Sequence, residues 1–109
     1  MAQVPRYARP EANALLLAIV VWTDRALADV EAAAAWVARH SPLAAQRLAR
    51  RLIEAGDGLE QFPMRGRDIG RGRRELPLVW PFVIRYRVHN DRVDILEVWH
   101  GARDRADTI

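Results

Sequence analysis

His100 and Arg103 stand in the stretch "VDILEVWHGARDR", Val93 to Arg105, where a strand-like apolar pattern runs straight into ionisable side chains. A histidine with an unperturbed pKa of about 6.5 can give or take a proton near neutral pH. Glu97 lies three residues before His100, and Arg74, Arg85 and Arg103 could bind a phosphate. Together these residue types suit metal-free phosphodiester cleavage. One group takes the proton of an attacking hydroxyl, another protonates the leaving oxygen, and guanidinium groups stabilise the charge that develops between them. The other reading of His100, and the favoured one, is a structural residue at a strand end bonded to a backbone carbonyl. His40 and His89 fall at a helix end and a turn, where less chemistry is expected.

A second set of candidates is basic. The loop "MRGRDIGRGRR" carries Arg65, Arg67, Arg71, Arg73 and Arg74. It reads either as a surface for a target or an acidic partner segment, or as a solvated connection. The chain has 17 basic residues, all of them Arg, and a net charge of +3. Arg grips phosphates and carboxylates through a planar fork, which suits nucleic acid or an acidic protein; a GC-rich genome would give the same bias. Cysteine is absent, which excludes thiolate metal sites, disulfides and thiol nucleophiles. No phosphate-binding loop, dinucleotide glycine pattern or metal-ligand spacing is present, so no cofactor and no metal are expected. The "GRG" of the loop is not a phosphate cradle, because no helix follows it.

These groups must be positioned by one domain, since 109 residues supply one modest core. Residues 1–16 carry two Pro without periodicity and read as a flexible N-terminal extension to a single domain over 17–109. "ALLLAIVVW", Ala14 to Trp22, is too short to span a membrane and reads as a first strand, Leu17 to Trp22, rather than part of a signal peptide. Thr23 or Asp24 caps a helix in which Leu27, Val30, Ala34 and Val37 recur at helical spacing. Ser41 and Pro42 start a second helix after a very short turn, so the two form an antiparallel hairpin. The second helix is expected to run to Phe62-Pro63, with the two glycines of "AGDG" marking a bend or a close approach of the sheet.

Arg73 to Val79 reads as a strand that Pro77 assigns to an edge or a bulge. Phe82 to Val88 and Val93 to Trp99 form a hairpin. A two-residue Asn90-Asp91 loop sets Arg87 opposite Asp94, Tyr86 opposite Ile95 and Ile84 opposite Glu97. The last pairing would turn a carboxylate to the apolar face unless a bulge shifts it. Most of the four Trp are expected in the core, with Trp80, beside Pro81 in a turn, at the surface as a partner anchor. The expected class is α+β: an antiparallel sheet against a helical hairpin, in the order β-α-α-β-β-β.

The ordered set "WTDRALADVE", "LEQFPMRGR", "RREL", "PFVIRYRV" and "VDILEVWHGARD" resembles the RelE/ParE toxin superfamily, which includes plasmid stabilisation toxins, over Val20 to Asp104. The segment before Leu17 precedes the point where members usually start. The resemblance implies a cytoplasmic toxin, not bound to membrane, neutralised by a cognate antitoxin. It implies one of two targets: DNA gyrase for the ParE-like branch, or the ribosome and its mRNA for the endoribonuclease RelE-like branch. Laid on the nuclease pattern, the basic positions fall on Arg74, Leu76, Val83 and Arg103, and the tail tyrosine position falls near Ile109. Leu76, Val83 and Ile109 cannot do that chemistry, which favours the ParE-like branch. A different site built on His100, Glu97, Arg85 and Arg103 is the alternative. On the binding reading, Arg65, Arg67, Arg71, Arg73, Arg74, Trp80 and Arg103 would touch the target or the antitoxin.

Overall fold

The computed structural model describes residues 17–101. The expectations for residues 1–16, Arg103 and Ile109 lie outside that range. Strand β1 (Ile19–Trp22) is followed by helices α1 (Asp24–Ala38) and α2 (Pro42–Asp57), a short 3-10 turn (Gly58–Glu60), and strands β2 (Arg67–Gly70), β3 (Arg73–Val79), β4 (Phe82–His89) and β5 (Arg92–His100). One five-stranded sheet, in the order β1-β5-β4-β3-β2, packs its inner face against the helical hairpin. The α+β class and the hairpin are as expected. Two features of the sheet differ. It is mixed, because β1 pairs parallel with β5: Ile19 lies beside Arg92 and Trp22 beside Ile95. It also has a strand, β2, inside the segment read as a loop. Three residues with positive φ, Gly70 at 93°, Arg71 at 60° and Gly72 at 75°, make a turn tight enough to fold β2 back on β3.

Local signals act as their chemistry requires. The Thr23 side chain accepts from the Ala26 N–H and the Ser41 side chain from the Ala44 N–H, and Pro42 opens α2 where its missing N–H costs nothing. The inward face of α1 is offset from the expected one. Ala26, Val30 and Ala33 meet the sheet, while Leu27 is 41% exposed. None of the four Trp is fully buried, contrary to expectation, and Trp36 and Trp80 are 56% and 62% exposed. The core is built instead from Leu52, Leu59, Ile84, Tyr86, Val93 and Ile95.

Pro77 sits at an irregularity between Leu76 and Val79 and lies beyond Glu75, where the pairing with β2 stops, so it occupies a bulge on a locally open edge. The Asn90-Asp91 loop sets Arg87 opposite Asp94 and Tyr86 opposite Ile95. Beyond that point the register slips: Arg85 lies opposite Glu97, and Ile84 opposite Val98. Leu96 is the extra residue, so Glu97 leaves the apolar face.

Helix α2 ends at Asp57, before the expected Phe62, and Gly58 caps it. Gly56 is the site of close approach. A Cβ there would lie 2.3 Å from Trp22 Cζ2 and 2.8 Å from Ile95 Cδ1, whereas one on Gly58 would meet nothing within 4 Å. Trp22 is held in place by its Nε1–H donating to Asp57 Oδ1 at 2.9 Å. Gly56→Ala is therefore expected to destabilise the fold by about 1–3 kcal/mol through overpacking. Gly58→Ala should be neutral or stabilising by up to about 1 kcal/mol. Urea unfolding of the two variants checks the opposite signs.

Candidate functional site

The outer face of the sheet is not covered by the helices. The register places Arg67, Glu75, Arg85 and Glu97 in one row across it, from β2 to β5, because directly paired residues point to the same side. Arg67 Nη2 donates to Glu75 Oε1 at 2.8 Å, Arg85 Nε to Glu75 Oε2 at 2.9 Å, and Arg85 Nη1 to Glu97 Oε2 at 3.1 Å. Arg25, from the first turn of α1, closes the row 3.3 Å from Glu97 Oε1. The Arg85 guanidinium also lies 3.8 Å from the centroid of the Trp99 ring. Nε and Nη1 of Arg85 are thus engaged by two carboxylates, and its guanidinium lies over an aromatic face.

Glu75 is the buried member, 7% exposed. Burial alone would raise its pKa. The hydrogen bonds and charges of Arg67 and Arg85 outweigh burial and hold the carboxyl below its ordinary value.

The inner face holds different groups. Arg74 lies opposite Tyr86 and so points away from Arg85. Its Nη1 donates to Gly66 O at 2.6 Å and to Met64 O at 3.3 Å, tying down the segment that leads into β2. The Tyr86 hydroxyl accepts from the Gly66 N–H at 2.7 Å. Burial raises the Tyr86 pKa, against the opposing effects of the Gly66 hydrogen bond and the Arg74 charge. A Cβ on Gly66 would lie 2.6 Å from Glu75 O, so only glycine fits this junction.

His100 lies opposite Phe82, also on the inner side, with the two rings edge-to-face and 5.2 Å apart. It borders a groove of about 360 Å³ between α1 and the end of β5, together with Arg25, Asp29, Ala33, Trp36 and Trp99. Strand β5 runs past β1, which ends opposite Ile95. Its free edge is partly closed by α1: Asp29 Oδ2 accepts from the Val98 N–H at 3.0 Å.

The nuclease candidates among the described residues therefore do not converge. Glu97 and Arg85 face outward in an ion pair, while Arg74 and His100 belong to the other face. The positions where basic groups would be needed, Leu76 and Val83, are each 4% exposed. Leu76 is part of the core, and Val83 lies under Gly101 as the chain leaves β5. The basic loop is likewise not one patch. Arg67 joins the charge row, Arg74 joins the inner face, and Arg65 borders α2 and Leu78. Trp80 is exposed as expected. Sequence reading missed Glu75, Arg25 and Asp29. Glu75 had a signal, since strand alternation puts the acid of "RREL" on the same face as Arg73. Arg25 and Asp29 had only their i,i+4 spacing.

Glu75→Gln is expected to destabilise the protein by about 1–3 kcal/mol at pH 7, because a buried, hydrogen-bonded charge pair loses one side. A carboxyl whose folded pKa is depressed contributes stability above its unfolded pKa, and that contribution fades as pH falls through the folded value. The difference between wild type and Glu75→Gln should therefore shrink on acidification. Chemical denaturation at a series of pH values measures it, and a difference that grows on acidification contradicts the assignment.

Comparison with known proteins gives a consistent family. Residues 20–105 match the model of the family described as the ParE toxin of the type II toxin–antitoxin system parDE. The chain is 49% identical over 87 residues to Toxin RelE2 of Caulobacter vibrioides, covering 80% of this chain and 99% of that protein. It is 36% identical over 89 residues to Toxin RelE1 of the same organism, covering 79% and 96%. A solved chain described as the chromosomal ParDE toxin–antitoxin system from P. aeruginosa aligns with a TM-score of 0.67 and 26% identity, over 78% of this chain and 97% of that one. The family match over most of the chain, the identities and the shared fold agree: the chain belongs to the ParE toxin family of type II toxin–antitoxin systems.

Proposed function

We propose that this toxin is ParE-like in action: it inhibits DNA gyrase by binding and is neutralised by a cognate antitoxin. The observation that carries this reading is the state of the outer sheet face. Metal-free RNA cleavage needs a proton carrier and cationic groups converging on one phosphate. Here Arg85 and Glu97 neutralise one another, Arg74 binds backbone carbonyls on the opposite face, and Leu76 and Val83 are buried. Such a surface suits recognition better than proton transfer.

The second reading, a ribosome-dependent mRNA endonuclease, draws support from the name of the 49% identical relative, Toxin RelE2. On that reading His100 carries the proton and Arg103 the phosphate. A gyrase supercoiling assay beside a translation-coupled mRNA cleavage assay separates the two, with His100→Gln as the diagnostic variant. Supercoiling should be inhibited by wild type and by His100→Gln alike. Loss of a proton carrier would instead lower a cleavage rate by about 10²–10⁴. Ribosome-dependent cleavage abolished in a folded His100→Gln protein would replace the gyrase reading.

The groove between α1 and the end of β5 is where we assign the antitoxin. Its C-terminal segment would fold on binding, with an apolar helix against Ala32, Ala33 and Trp36 and an extended piece along a free sheet edge. Ala33 and Trp36 offer a small-residue floor beside a large exposed ring, which suits a buried anchor. Trp36→Ala is expected to weaken antitoxin binding about 10–30-fold with toxicity retained. Calorimetric titration with the antitoxin measures this, and unchanged affinity for Trp36→Ala sinks the assignment.

A further inference from the structure

Beside the neutralised row of the outer face lies a second row that is not neutralised. Arg73 on β3 stands directly opposite Arg87 on β4. Like charges directly opposite in an antiparallel pair are destabilising. Asp94 on β5 stands opposite Arg87 and could relieve the clash. It is already engaged, accepting from Arg92 Nε at 2.7 Å. Arg71 sits at the same end, exposed at the tip of the β2–β3 turn with φ 60°, a conformation that disfavours a side-chain-bearing residue. The turn is fixed against β4 by the Val88 N–H donating to Gly72 O at 3.1 Å. Among the described residues, no carboxylate pairs with Arg71, Arg73 or Arg87. The acids at this end are Asp94, Asp91 in the β4–β5 turn, and Asp68, whose Oδ1 is taken up by the Gly70 N–H at 2.7 Å.

We infer that this end of the outer face, Arg71, Arg73 and Arg87, is a platform for the phosphate backbone of double-helical DNA. Three guanidinium groups without internal partners, held on a rigid sheet, match an array of phosphates through charge-assisted hydrogen bonds. An acidic protein fits less well, because protein interfaces centre on apolar or aromatic anchors. Exposed large apolar side chains do not adjoin the three arginines. Leu17 and Ile19, just before and on β1, lie at this end but two strands away from Arg87. Single-stranded nucleic acid fits less well too, because it is held by stacking on aromatic rings. Trp80 and Trp99 sit at the opposite end of β4 and β5, and the exposed His89 beside Arg87 is a single small ring, too little for successive bases to stack on. The platform is independent of the gyrase reading, since it requires only the toxin and DNA.

The test is fluorescence polarisation of a labelled duplex of about 20 base pairs with the full-length protein, from about 50 to 200 mM salt. Three phosphate contacts predict a slope of log K against log salt of about −3. Arg73→Gln with Arg87→Gln should reduce the slope by about 2 and Arg71→Gly by about 1. Arg71→Gly also removes a side chain from a positive-φ position, so it keeps the test open if the double variant folds poorly. Arg47→Gln with Arg50→Gln, on the exposed side of α2, changes net charge equally and should leave the slope unchanged. The double variant Arg73→Gln/Arg87→Gln should melt at or above wild type, because the opposed like charges are gone. Equal loss in the α2 control reduces the effect to net charge and overturns the platform. So does binding to a polyglutamate peptide without salt-dependent binding to the duplex.

Discussion

Leu96 is one residue too many for the pairing of β5 with β4, and the assignment of faces follows from that surplus. Without it, Glu97 would stand opposite Ile84 and point into the hairpin-covered core, where an unpaired carboxylate is not tolerated. With it, Val93, Ile95 and Val98 keep to the inner face while Asp94, Glu97 and Trp99 turn outward. Thr23 secures the bulge. Its backbone N–H donates to Ile95 O at 3.1 Å, and its hydroxyl lies 2.7 Å from Ile95 O and 3.1 Å from Leu96 O. The same hydroxyl oxygen accepts from the Ala26 N–H at 3.1 Å. One side chain thus ends β1, starts α1 and takes up the carbonyls that the bulge would leave exposed.

The outer face inherits its character from this arrangement. Glu97 arrives within reach of Arg85, and Arg85 reaches Glu75 on its other side. The buried Glu75 carboxylate shares its charge between two guanidinium groups, so lending Arg85 to a substrate would leave Glu75 Oε2 without its partner and Arg67 as the remaining cation. That is a physical reason for a basic face with little capacity for phosphate chemistry at its centre. Unpaired positive charge is displaced to the end of the strands, where Arg73 and Arg87 face each other.

The free edges are treated differently at the two sides of the sheet. β2 is short, interrupted by a shift between Asp68 and Gly70, and bordered by charged side chains, all of which discourage pairing with another chain. The end of β5 runs past β1 and is capped from α1 and its N-cap, by Thr23 at Leu96 O and by Asp29 at the Val98 N–H. Beside it, α1 presents alanines and the half-exposed Trp36, whose ring also carries the Arg39 guanidinium 4.6 Å from its centroid. Among the described residues, the β2 edge is thus blunted by charge and irregularity, while the end of β5 borders a groove of mixed polar and apolar lining.

Much of this was legible in residue order alone. The helix caps, Thr23 or Asp24 for the first and Ser41 for the second, and the Asn90-Asp91 turn with the Arg87–Asp94 and Tyr86–Ile95 pairs it sets, rest on residues close in the chain, and the α+β class follows from the order of the elements. Such interactions leave their trace in spacing. The bulge at Leu96 was legible only as a conflict, a carboxylate assigned to an apolar face. The parallel seat of β1, the strand hidden in the basic loop and the charge row from Arg67 to Arg25 were not legible. Each depends on residues far apart in the chain whose proximity is set by sheet order, and one residue of register shifts a side chain to the opposite face. The same holds for Arg74. As a sequence it was a cation beside other cations; only the pairing with Tyr86 turned it to the inner face, where the carbonyls of Met64 and Gly66 took up its charge.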